Sequence, residues 1–404
     1  MQKKQVILQE DGFSFHTFSV RYFMGEKEFE KIFSHLKTVS DRGEFYKPSY
    51  FQANCWVCSH FSEEGLLLYL STIHDDKGNS HHIATCRINP RKLIDPDCSY
   101  YGIMHRDKKS LDRMEVCFRK VLHKAGINRD LNDGTLYRFD LCGNLMFLYK
   151  KLPRIIMDCL SRSSINGNYR LSTTDNELFF DPMMFPKRSL RVVPRGQNED
   201  SMKNSVALVL YDKQAQMKEN HLFGTAEKKR KERSYGILRI ELHLEGKKIR
   251  ELTGKNKTTR EQIEYLSGRS RELLTEHTGK VFPTGDFYSL AECKKLIDGG
   301  NFKEKMRKRM RRIVEVIAEG DTFLEALGDC EEDLSGKKII KTMENFDRLG
   351  INAVPLPKKA KPDYLPSVYR MLQALDGEQA VTFKAIKEKN ANSVEKSLEK
   401  VARS

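Results

Sequence analysis

The sequence predicts an α+β fold in which an antiparallel sheet is followed by a smaller helical part. Three observations predict it. Runs of strand-like residues separated by turn signals dominate up to about residue 250, and a helical period takes over from about residue 255. The cleanest period-two alternation lies at Ile237 to Leu244. The chain has 404 residues, 39% of them hydrophobic and 22 of them Phe, which is ample for a packed core and argues against disorder. At roughly 150 residues per domain, two to three units are expected. They divide as 1–255 for the sheet, 256–375 for a helical basic region and 376–404 for a charged terminal helix or tail.

The elements follow in order. Residues 65–73 run into Asp76-Lys77-Gly78-Asn79, a turn signal, and His82 to Ile88 continues as the second strand of a hairpin. Asn89-Pro90 ends it, and Arg91-Lys92-Leu93-Ile94 begins a new element. Over residues 109–125, Leu111, Met114, Phe118, Val121, Leu122 and Ala125 share one face of an amphipathic helix. Leu136 to Leu141 is a short strand with Arg138 and Asp140 on the same side. Ser205 to Tyr211 is apolar on both faces and reads as a central, buried strand. In Ile237 to Leu244, Leu238, Ile240, Leu242 and Leu244 face one way, and Arg239, Glu241 and His243 the other. Helices are expected at 258–275, 290–297, 303–319, 321–328 and 337–349, of which the last three make either a helix-turn-helix-like unit or an ordinary bundle. Pro355, Pro357, Pro362 and Pro366 mark an extended segment.

Charge narrows the function classes. Lys and Arg number 71 against 56 Asp and Glu, a net +15 that points to a polyanionic partner, nucleic acid or an anionic membrane face. No stretch approaches the roughly 18 apolar residues of a membrane helix, and the amino terminus has no secretory pattern, so no membrane partner is expected. The nine cysteines read as free thiols of a reducing compartment, and the localisation expected is cytoplasmic. Cys55-x-x-Cys58 lacks the second pair a zinc site needs. The cations cluster twice: Lys228, Lys229, Arg230, Lys231 and Arg233, then Lys303 to Arg312 with Lys305, Arg307, Lys308, Arg309, Arg311 and Arg312. Each cluster is either a solvated face or a grip on phosphates.

There is no Walker A loop, no dinucleotide-binding glycine fingerprint and no Gly-x-Ser-x-Gly elbow. His81-His82 is an adjacent pair that points to opposite faces, so it is not the His-hydrophobe-His pair of many nickases. What remains is a matching pair of strands, Arg138-x-Asp140 and Arg239-x-Glu241, with His243 on the face of Glu241. Brought together, they offer carboxylate oxygens for a hard divalent cation and arginines for a phosphate; the bland alternative is cross-strand ion pairing. Tyr211-Asp212-Lys213 ends the apolar strand between them. A tyrosine is a poor nucleophile at its ordinary pKa of about 10, and becomes a credible one beside a metal and a lysine.

The series Arg-x-Asp, an apolar strand ending in Tyr-x-Lys, then Leu-Arg-Ile-Glu resembles filamentous-phage replication initiators of the gene-two/gene-ten type. Ile88 to Ile94 upstream, and Arg311 to Val314, Leu349-Gly350-Ile351 and Lys361-Pro362-Asp363-Tyr364 downstream, extend the resemblance over roughly residues 65–365. It implies an antiparallel-sheet nuclease domain of the HUH-like, rolling-circle initiator type, followed by a helical DNA-binding region. Such proteins nick one strand of supercoiled DNA at a replication origin and later rejoin it, through a 5′-phosphotyrosyl intermediate and a divalent metal, Mg²⁺ or Mn²⁺. Tyr211 matches the nucleophile, with Lys213 beside it. Asp140 and Glu241 match acidic positions assigned to the metal; His243, from its place on the face of Glu241, is either a third ligand or a partner that orients one, and Arg138 and Arg239 would clamp the phosphate. Partners implied are double- and single-stranded origin DNA and a host helicase and polymerase, in the bacterial cytoplasm if the chain is phage-encoded. The rival readings are a non-catalytic DNA-binding protein, a repressor or single-strand binder, and a plasmid mobilisation relaxase.

Overall fold

The strand on which the sheet is assembled is β1, Val6–Met24, which runs between partners on both sides. The computed structural model describes residues 6–48, 54–95, 102–171, 189–195, 206–219, 227–329, 336–376 and 380–389. After β1 come β2 (Phe45–Tyr46), β3 (Cys55–Cys58), β4 (Leu66–His74), β5 (Ser80–Ile88) and β6 (Thr135–Phe147). Then follow β7 (Tyr169–Leu171), β8 (Leu190–Pro194), β9 (Val206–Asp212), β10 (Ile237–Glu245), β11 (Phe287–Tyr288), β12 (Tyr364–Leu365) and β13 (Ala380–Thr382). Eleven of them form one sheet in the order β2-β3-β4-β5-β1-β6-β10-β9-β8-β7, with β13 pairing on β1. The ladders of that sheet are antiparallel, and β11 and β12 make a separate antiparallel pair.

The expected hairpin is β4–β5, its turn closed by Asp75, whose carboxylate accepts from the backbone N–H of Lys77 and Asn79. The helix Lys108–Lys124 is capped by Asp107 and buries Leu111, Met114, Phe118, Val121 and Leu122, the face its periodicity indicates. β9 and β10 lie where expected, and the short strand at 136–141 is the middle of β6. The helix expected over 258–275 is two, Thr259–Gly268 and Ser270–Val281, because the chain leaves helical geometry at Arg269 after Gly268. Glu26–Val39, Leu152–Arg162 and Gly246–Thr253 are helices the sequence reading did not mark.

One face of the sheet is apolar. Phe15 of β1 lies 4.9 Å, ring to ring, from Phe139 of β6, and Phe18 meets Phe118 of the helix Lys108–Lys124 at 6.4 Å. Gly143 of β6 makes room on this face for the Phe13 ring, since a Cβ there would fall 2.4 Å from it. Helices Gly246–Thr253, Thr259–Gly268 and Ser270–Val281 pack on the same sheet. A single hydrophobic cluster joins it to Met310 and Val314 of the helix Glu304–Glu319 and to Val354 and Ile386. Residues beyond 256 therefore share the sheet's core. The segment expected as a terminal helix or tail returns to the sheet: β13 pairs Val6 with Thr382, and Phe383 packs on Phe147. Residues 390–404 lie outside those described.

The carboxy-terminal motifs converge on one buried carboxylate. Asp286 accepts from Tyr364 Oη (2.9 Å), the Ser367 N–H (2.9 Å) and Arg370 Nη1 (2.6 Å). Its own N–H donates to the Gly350 carbonyl, and its carbonyl accepts from the Asn352 N–H. Gly285 lets these strands meet, since a Cβ there would lie 2.4 Å from the Ile351 carbonyl.

Candidate active site on the polar face of the sheet

The opposite face is polar. Period two puts Arg138, Asp140, Cys142 and Asn144 of β6 on one side, and Arg239, Glu241, His243 and Glu245 of β10 beside them. Register sets His243 opposite Asp140, Glu241 opposite Cys142, and Arg239 between Asn144 of β6 and Tyr211 of β9. The sequence-predicted residues of both Arg-x-acid strands and Tyr211 are thus brought together.

They form a connected network. Tyr211 Oη donates to Glu241 Oε1 at 2.6 Å, and His243 Nε2 lies 3.1 Å from Glu241 Oε2. Arg138 Nη2 lies 3.1 Å from His243 Nδ1, and Arg138 Nε donates to Asp140 Oδ1 at 2.7 Å. Because the guanidinium only donates, His243 accepts at Nδ1, which leaves its proton on Nε2 for Glu241. Arg239 Nε donates to Asn144 Oδ1 at 2.8 Å, with Nη1 3.9 Å from Glu241. Lys213 lies just beyond β9, its Nζ donating to Gln216 Oε1 at 2.7 Å and lying 5.7 Å from the centre of the Tyr211 ring.

Alternation divides β10 into an apolar and a polar face, yet all nine of its residues are buried. Arg239 has no exposed surface and Tyr211 only 2%. Charges in such a place must be paired, which the arginine–carboxylate contacts accomplish. Burial, and then the Glu241 charge, push the Tyr211 phenol well above its ordinary value. Burial opposes ionisation of Glu241, but His16, Arg239, the Tyr211 hydrogen bond and Lys213 together hold its carboxyl below the usual range. The resting pair is therefore a neutral phenol on an ionised carboxylate. Burial and Arg239 drive Lys213 well below its ordinary value, and burial holds His243 neutral. Burial raises Glu245 to about 7.

Asp140, Glu241 and His243 were expected as metal ligands. Asp140 is engaged by Arg138, and Glu241 by Tyr211 and His243. Among the described residues no group of three or more His, Cys, Asp and Glu is arranged to hold a metal ion. The buried arginines Arg138, Arg191 and Arg239 give this face the donor set of an anion site.

His16 was missed by the sequence reading. β1 pairs Phe15 with Leu141 and Thr17 with Asp140, so His16 is the extra residue of a β-bulge. The bulge turns it toward the polar network, where it feels Arg239, Glu241 and Lys213; its Nδ1 lies 2.8 Å from Thr17 Oγ1. A signal was present: the apolar alternation runs through Phe13 and Phe15, then changes parity to Phe18, Val20, Tyr22 and Met24. One inserted residue does that. Arg191 of β8, which acts electrostatically on His243 and Glu245, was also missed.

The basic clusters sit apart from this network in different ways. The helix Glu227–Ser234 carries Lys228, Lys231 and Arg233 exposed, and docks beside Lys213 through Gln214 Nε2, which donates to the Lys231 carbonyl. The side chains of Lys229 and Arg230 lie outside those described. On Glu304–Glu319, Arg307 pairs with Glu304 and Arg311 with Asp298, whereas Lys305, Lys308 and Arg312 are exposed. Met310 is buried on the inward side of this helix and Met306 is half-buried. The connection 330–335 of the expected helix-turn-helix lies outside the described residues. Cys55 and Cys58 sit on β3 at an odd spacing, which sends their thiols to opposite faces.

No protein-family model, curated protein or solved structure matches this chain. Among the described residues no helix is long and apolar enough to cross a membrane.

Proposed function

We propose that the chain is a rolling-circle replication initiator of the filamentous-phage type, a single-strand DNA endonuclease and strand transferase whose nucleophile is Tyr211. The observation that carries the reading is the 2.6 Å hydrogen bond from Tyr211 to Glu241, with Arg239 and Lys213 beside it. In the proposed reaction Tyr211 Oη bonds to phosphorus while its proton passes to Glu241. The P–O3′ bond breaks, and the 3′-oxygen takes up the proton that Glu241 received, so the proton lost by the phenol ends on the leaving hydroxyl. Products are a 5′-phosphotyrosine and a 3′-hydroxyl, and the reverse reaction rejoins the strand without ATP. Arg239 and Arg138 would meet the negative charge that develops on the phosphate.

A Mg²⁺ or Mn²⁺ ion on Asp140, Glu241 and His243 belongs to the proposal; as arranged, both carboxylates are engaged by other side chains. His16 and Asp212, half-buried where their neighbours are buried, mark the sides from which a phosphodiester would approach. The partners in this reading are origin DNA, double- and single-stranded, a helicase and a polymerase, in the cytoplasm. The proposed roles of Lys228, Lys231 and Arg233 are to grip the strand being cut.

A second reading is favoured by the 2% exposure of Tyr211: a non-catalytic DNA-binding protein in which this network only holds the sheet together. Incubation with supercoiled DNA carrying its own origin and Mg²⁺ separates the two. The initiator reading expects a nicked circle and a covalent protein–DNA adduct. Binding without an adduct favours the second reading.

A further inference from the structure

We propose that the outer ridge of the helix Lys108–Lys124 is a docking surface for the phosphate backbone of duplex DNA, an inference that rests on the initiator reading for the identity of its ligand. Lys109, Arg113, Val116, Lys120 and His123 follow at spacings of four, three, four and three, so they form one line along the helix. That line is diametrically opposite the buried Leu111, Met114, Phe118 and Leu122 and is exposed throughout. From Lys109 to Lys120 it covers about 16 Å at 1.5 Å per residue.

Sequence charge does not reveal this surface, because Asp112 and Glu115 lie among the cations. The fold turns them aside. Arg260, from the neighbouring helix Thr259–Gly268, donates to Asp112 at 2.8 Å, to Glu115 at 3.0 Å and to Glu264 of its own helix at 2.8 Å, holding Asp112 and Glu115 on one flank. Asp107 is used as the helix cap. Lys109 and Lys120 have no ion-pair partner among the described residues. Arg113 is anchored by a hydrogen bond to the Ile94 carbonyl, which holds its guanidinium against the helix Pro90–Ile94. The result is a line of cations whose acidic neighbours are held on one flank, complementary to the repeating charges of a polyphosphate.

Duplex rather than single strand is the ligand because of where the ridge lies. This helix covers the apolar face of the sheet, whereas Tyr211 lies on the other face. DNA on the ridge is therefore a segment other than the strand held at Tyr211, and in a supercoiled circle such a segment is duplex.

The test is a fluorescein-labelled duplex of arbitrary sequence, titrated with the full chain at several salt concentrations. The variant is the triple replacement Lys109→Gln, Arg113→Gln and Lys120→Gln, which keeps residues of similar helix propensity on a solvent-facing line. Each lost phosphate contact reduces the slope of log K against log salt by about 0.9, so a loss of roughly 2 to 3 is expected. Affinity near 0.1 M salt should fall by at least about tenfold, with the circular dichroism spectrum and Tm unchanged. An unaltered slope, or a wild-type chain whose duplex binding is insensitive to salt, overturns the proposal. Adduct formation on origin DNA at low salt is scored separately, and its absence from both proteins would defeat the initiator reading and leave the ridge to be judged by the slopes.

Discussion

The Tyr211 hydroxyl meets its register partner, Arg239, by a side-chain hydrogen bond and donates diagonally to Glu241 on the same strand as that arginine. The proposed nucleophile, its proposed proton acceptor and a cation are thereby set within one two-strand segment, with the geometry fixed by backbone pairing and not by a loop. Tyr211→Phe keeps the ring and removes only the donor. We expect the adduct and nicked circle to disappear while Tm falls modestly, by the equivalent of about 1–3 kcal/mol for one orphaned buried acceptor. Denaturing gel electrophoresis after reaction with supercoiled origin DNA measures the first, and an adduct formed by the Phe variant would refute the assignment.

Glu245 supplies a pH signature of the buried face. Its folded-state pKa, about 7, lies above the ordinary 4.5, so the native chain binds a proton that the unfolded chain releases. That stability is complete below about pH 4.5 and is lost as pH rises through about 7. At about 1.4 kcal/mol per unit, the loss is on the order of 3 kcal/mol. Glu245→Gln keeps the amide neutral at every pH, so the variant should gain on the wild type between pH 5 and 8 in urea denaturation. Parallel curves for the two proteins would show that Glu245 is ionised in the native state.

Asp286 accepts from Tyr364, Ser367 and Arg370, and ties residues 350–370 to the β11 strand. Asp286→Ala leaves the Arg370 guanidinium without its buried carboxylate, and the expected destabilisation is about 3–5 kcal/mol. Equilibrium denaturation reads it. Restoring Tm by replacing Arg370 with Met in the same chain would attribute the loss to the stranded charge.

Gly285 makes a related prediction through shape alone. A methyl group there meets Ile351 backbone, which cannot rotate away as a side chain can. Gly285→Ala should therefore cost about 1–3 kcal/mol, whereas Gly167→Ala, with open space around its Cβ position, should change Tm little. Equal Tm values for the two variants would contradict the close approach.

Much of this was legible in the sequence, and what was not has physical causes. The hairpin β4–β5 and the alternation of β10 were readable because each side chain's face follows from position alone. The chain order of the motifs holding Arg138, Asp140, Tyr211, Arg239 and Glu241 was readable, whereas their meeting rests on the sheet order β6-β10-β9, which chain order does not encode. That their shared face is buried did not, because alternation reports polarity and not what covers it. β1 escaped notice because Gln9-Glu10-Asp11-Gly12 interrupts it and the bulge at His16 changes its parity. The Arg260 contacts to Asp112 and Glu115 join residues far apart in the chain, which no local pattern encodes.

The pairing of β13 with β1 bears on how the chain is made. During synthesis Val6, Ile7 and Leu8 emerge long before Thr382, Val381 and Ala380, so for most of that time β1 offers an open backbone edge. Closing it requires one of the longest loops in the molecule, a slow kind of contact. A nascent chain paused before residue 380 would thus be prone to pair β1 with a neighbouring chain on the same message, and expression at low temperature with slowed initiation should raise the soluble yield.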